Sequence, residues 1–146
     1  MTQEQKDLLL KGLCVRMPYG VKCADIHADE KLTNKWDVVA IDKIFGNEFS
    51  HVCISNCEKS YGYKIPIERI KPYLFPMSSI TKDIEDEIYH KTGLYDIFEY
   101  AQIYIEDGGN FVDICKLFEI LNKHHIDYNG WIGLGLAIDT TGLNIY

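Results

Sequence analysis

The chain has 146 residues, 47% of them hydrophobic and 11 of them glycine, the size and apolar content of one folded domain with its own core, which excludes intrinsic disorder as the main state. Fifteen Lys and Arg against 22 Asp and Glu leave a net charge of −7, a field that repels phosphate backbones and anionic lipid. Nucleic acid and membrane surfaces therefore fall low among expected partners. Met1 to Asp7 is polar, and the longest apolar run, Trp131 to Ile138, is broken by two glycines, so neither a signal peptide nor a membrane span is expected. Five cysteines, an odd number, with no Asn-x-Ser/Thr acceptor, point to a reducing, cytoplasmic setting.

Thr2 and Gln5 have the spacing of a capping box, and Leu9, Leu10, Leu13 and Met17 recur at helical intervals until Pro18 and Gly20, which predicts a helix from about Gln3 to Val15. From Gly20 the period becomes two, with Val21, Cys23 and Asp25 on one face. Trp36 to Ile44 is β-rich, Phe45 to Glu48 turns the chain into a strand over His51 to Ser55, and Tyr63, Ile65 and Ile67 alternate again. Pro66 cannot donate to a ladder, so that strand belongs at an edge or ends early. Strands joined by turns this short can only meet antiparallel, which predicts a meander or a small SH3-like barrel of about four strands.

After Pro72 and Pro76 the pattern is helical. Thr81 can cap a second helix, Asp83 suits its first turn, Ile84 and Ile88 share a face, and Gly93 can end it. Asn110 can cap a third, whose apolar stripe is Phe111, Ile114, Cys115, Phe118 and Leu121. Between them Leu94 to Ile105 fits both periods, and the longer fit favours a helix. The expected fold is α+β, one domain over 1–146, with a helix and antiparallel sheet in 1–76 and a mainly helical half in 77–146.

His51, Cys53 and Cys57 form an H-x-C-x3-C set of soft ligands, but zinc usually needs four ligands and paired knuckles, and the bland reading puts Cys53 on a strand and Cys57 in a loop. No metal or other cofactor is expected. Asp83, Glu85, Asp86 and Glu87 read as a dipole-matched helix start, with only 83 and 87 sharing a face. Gly130, Gly133 and Gly135 lack phosphate-loop spacing and read as a turn. His125 and Asp127 are the weak catalytic candidates; the competing structural reading gives the histidine to a helix C-terminus and the aspartate to a cap for a short helix beginning at Tyr128. Drawn as a helix, 94–105 places Tyr95, Tyr100 and Ile103 beside an acidic face, a patch for another chain, and Tyr73 and Phe75 join them as aromatic contact candidates.

Three segments, Leu13 to Lys22, Ile70 to Thr81 and Leu121 to Ala137, carry Pro-Tyr-Gly-Val-Lys, Lys-Pro-Tyr-Leu-x-Pro-Met-Ser-Ser and Asn-x-x-His-x-Asp-Tyr-x-Gly. Together they resemble a family of short uncharacterised proteins encoded by gut anaerobes, their phages and other mobile elements. The resemblance implies a cytosolic, phage- or mobile-element-linked origin. Phe75 and Asn129 stand where that pattern tends to carry arginine, which removes two positive charges. The favoured function is a non-enzymatic protein-binding or adaptor module, acting on a protein partner or by self-association; the alternatives are a nucleic-acid-associated small barrel and a small hydrolase or metal-dependent enzyme using His125 and Asp127.

Overall fold

The computed structural model describes residues 1–27, 36–43, 50–56, 59–94 and 111–146, and for 36–43, 50–56, 59–64 and 111–113 it describes the backbone alone. Helix α1 spans Gln3–Arg16. Its start is the expected capping box: Thr2 Oγ1 accepts from Gln5 N at 3.2 Å, and Gln5 Oε1 accepts from Thr2 N at 2.8 Å. Leu9, Gly12, Leu13 and Arg16 form its buried face. A 3-10 turn over Met17–Tyr19, with Pro18 early in it, stops at Gly20 in the left-handed region.

Strands β1 (Lys22–Asp25), β2 (Trp36–Lys43), β3 (Ser50–Asn56) and β4 (Lys59–Pro66) follow, then β5 (Ile70–Pro76). The order β4-β3-β2-β1-β5 is antiparallel throughout, with β4 at one end and Pro66 as its last residue. Two short strands, β6 (Ile126–Asp127) and β7 (Ile138–Asp139), then pair parallel with β5. Phe75 N–H reaches one way, to His125 C=O, while the preceding carbonyl, of Leu74, accepts from Thr140 N–H, so β6 and β7 lie along opposite edges of β5.

The fold is α+β, and the sheet corrects two expectations. It is mixed rather than purely antiparallel, and among the described residues it is open, not a closed SH3-like barrel. The reason is β5, a strand hidden by its two prolines. Pro72 is the last residue paired with β1, opposite Cys23, and Pro76 ends the strand, so the missing donors fall where one ladder stops or the strand itself does.

Helix α2 runs Lys82–Thr92 and ends at Gly93, whose φ of 76° needs no side chain and whose N–H bonds Tyr89 C=O at 2.8 Å. Helix α3 is Phe111–Lys123. Its inner face is Ile120 and Leu121 with Leu117, whereas Cys115 and Phe118, expected on the apolar stripe, are exposed. One core joins Leu9, Leu13, Val21, Leu74 and Trp131; a second joins Ile88, Leu94, Ile120, Leu121 and Ile126. Among the described residues no helix is long and apolar enough to cross a membrane.

Candidate functional site

The polar residues singled out in the sequence gather where α3 hands over to β6. His124 N–H closes the helix on Ile120 C=O, and His125 N–H bonds Asn122 C=O. His125 has φ of 54°, a left-handed turn without glycine, and this reversal lets its carbonyl accept from Phe75 N–H at 3.0 Å. Two residues on, Asp127, 5% exposed, accepts from Trp131 N–H at 2.9 Å and Ile132 N–H at 2.7 Å. Both carboxylate oxygens are thereby committed to capping the turns over 128–135, the role of a cap rather than of a free base.

Arg16 lies beneath this loop with no exposed surface. Its guanidinium donates to Gly12 C=O at 3.2 Å and to Ile126 C=O at 2.9 Å, and sits 4.8 Å from the Tyr128 ring centre and 5.2 Å from that of Trp131. Burial pulls its pKa down, while Tyr128 and the Asp127 charge oppose that pull. Trp131 in turn fits against Gly12: a Cβ there would stand 1.8 Å from the ring.

His125 is also 5% exposed and lies flat on Tyr146, ring centres 4.0 Å apart and planes 11° apart. Burial first, then the Arg16 charge, lowers its pKa to about 4, against a hydrogen bond with the Tyr19 backbone that raises it. The Tyr146 hydroxyl donates to Tyr73 C=O at 2.8 Å and accepts from Lys22 N–H at 3.2 Å. Arg16 Nε, His125 Nδ1 and Trp131 Nε1 are buried without a hydrogen-bond partner among the described residues. From Trp131 outward the contacts form a line: Arg16 over Tyr128, and Tyr128 5.0 Å from Phe118, which is 43% exposed.

The three segments behind the resemblance thus meet at one place, through Arg16 and Tyr19, Phe75, and His125 to Trp131. Tyr73 is buried against Ala24 and Ile145, and Phe75 is half-buried in the second core, 6.0 Å from the Tyr146 ring, so neither offers an open ring. Tyr95, Tyr100, Ile103 and the expected helix over 94–105 beyond Leu94 lie outside the described residues, as do Cys57 and the side chains of His51 and Cys53. Backbone register sets His51 against Asp42 and Cys53 against Ala40. Among the described residues no group of three His, Cys, Asp or Glu is arranged to hold a metal ion. Of the acidic run, Glu87 is drawn into a cluster: it binds Lys123 and Lys91, each at 2.9 Å, and His124 at 2.8 Å, which holds its carboxyl down at about 2.

Arg16 and Phe118 are the residues sequence reasoning passed over. A charged residue at the i+7 position of the Leu9, Gly12, Leu13 stripe is the available signal for the first; Phe118 reads as core because helical spacing puts it in the apolar stripe of the third helix, and the structure leaves it exposed. No family model, curated protein or solved structure matches the chain.

Proposed function

We propose that this chain is a non-enzymatic binding module that acts in the cytoplasm by contact with another protein, and that it derives from a phage or mobile element, as the three resembling segments imply. The observation that carries the reading is Phe118. Its ring is exposed yet backed by Tyr128, which rests on the Arg16 guanidinium, itself over Trp131. An outward aromatic held from behind loses little freedom on docking, the property of an interface anchor. The His125 and Asp127 pair favours this reading over hydrolysis, since the aspartate is bound to backbone N–H groups and the histidine is stacked under Tyr146. The test compares the full chain with Phe118→Glu as bait in lysate of the native host, read by quantitative mass spectrometry. A protein enriched by the wild type and lost at least tenfold by the variant, at equal melting temperature, supports the proposal; identical captures would overturn it.

A further inference from the structure

The segment 138–146 crosses the outer edge of β5 and folds back over the His125 corner. Thr140 fixes it twice to Leu74 C=O, through its N–H at 3.0 Å and its hydroxyl at 3.1 Å, and Ile145 is buried against Ala24 and Tyr73. Tyr146 then closes it, with its hydroxyl bridging Tyr73 C=O and Lys22 N–H and its ring flat on His125. We propose that residues 138–146 form an acid-sensitive strap whose latch is the His125–Tyr146 stack.

The latch needs a neutral imidazole. His125 is enclosed by Arg16 from α1, the Tyr19 backbone from the turn after it, Lys22 from β1, His124 from the end of α3, and Tyr146 above; Asp127, the nearby carboxylate, is held by Trp131 and Ile132 N–H. The charges acting on it are all cationic, and they oppose a second positive charge in the cluster. Its Nδ1 has no acceptor among the described residues, so a proton there would be a buried, unsatisfied donor. Lifting Tyr146 lets the ring reach water, the least costly relief. The sign follows from linkage. With the strap closed the imidazole takes its proton near pH 4; lifting the strap relieves its burial while the Arg16, Lys22 and His124 charges stay, so the open ring takes its proton at a higher pH, bounded by the usual 6.5. Closure is therefore fully favoured above pH 6.5, and the opening constant rises as pH falls from 6.5 to 4, by at most about 80-fold over that interval, and levels off below it. Opening uncovers the β5 edge at Leu74 and the ring of Phe75, a consequence that holds whether or not Phe118 docks a partner.

Hydrogen exchange of the full chain, each amide normalised to its intrinsic rate at each pH, measures this directly. Thr140 N–H should lose protection between pH 6.5 and 4, by up to about 80-fold, exchanging faster than the α1 amides at every pH while far-UV circular dichroism stays native. His125→Asn keeps a residue that tolerates the left-handed turn and removes the titration; in it, Thr140 protection should be flat with pH. Thr140 protection that is independent of pH in the wild type, or that tracks the α1 amides throughout, would overturn the strap, as would an unchanged pH dependence in the variant. Should the variant not fold, the wild-type imidazole decides by NMR: titration of His125 near 6.5 with Thr140 still protected sinks the proposal.

Discussion

Gly12 sits mid-helix, where glycine costs about 1 kcal/mol relative to alanine, and what it makes room for is the Trp131 ring. A Cβ at 1.8 Å from an indole that is itself fully buried cannot be absorbed by a side-chain swing. Gly12→Ala is therefore expected to reverse the usual sign and destabilise the protein by about 2 kcal/mol, overpacking outweighing the propensity gain. Urea unfolding measures it, and a stabilised variant would mean that Trp131 is not seated on α1. The same contact explains why Arg16 can be buried: with the helix and the 128–135 loop this close, its guanidinium meets two carbonyls and two aromatic faces at once.

Between elements, a polar fastening among the described residues of the helical half is Glu87, which ties α2 to the end of α3 through Lys123 and His124. Its carboxyl, held at about 2 against a usual 4.5, contributes stability that is fully present above pH 4.5 and is lost as pH falls through 2. Because both lysines are half exposed, the screened worth is about 1 kcal/mol, so Glu87→Gln should cost that much at low salt and nearly nothing at 1 M salt, read from denaturation midpoints. Elements with a local signature were legible before the structure: the Thr2–Gln5 box gave α1 to within one residue, Gly93 gave the end of α2, period-two alternation marked β1 and the second half of β4, and β-rich composition and an intervening turn marked β2 and β3. What the sequence concealed depends on distant partners. β5 carries two prolines and becomes a strand because β1, β6 and β7 supply its ladders, and β6 and β7 are too short to have a period at all. At the site, the cap role of Asp127 was readable from its position before Tyr128, though it caps turns rather than a helix; the stack of His125 on a residue so far along the chain was not.

For the whole molecule, the net charge of −7 sets its long-range behaviour. A random single-stranded oligonucleotide should bind weakly even at low salt; micromolar affinity with a steep inverse salt dependence would instead revive the nucleic-acid reading. The placement of β5 has a kinetic side as well. Its antiparallel ladder with β1 can form early, but its parallel ladders wait for β6 and β7, and the bonds that seal the site join positions 110 and 124 apart in the chain: Arg16 to Ile126, and Lys22 to Tyr146. Loop-closure entropy must be met before those contacts repay it, which puts the molecule among the slower folders of its size. During synthesis, an emerging chain that has made β5 but not yet residues 126–146 carries an unzipped strand and an uncovered guanidinium, so the interval between ribosome exit of β5 and of Tyr146 is when this protein most invites a chaperone or a wrong pairing.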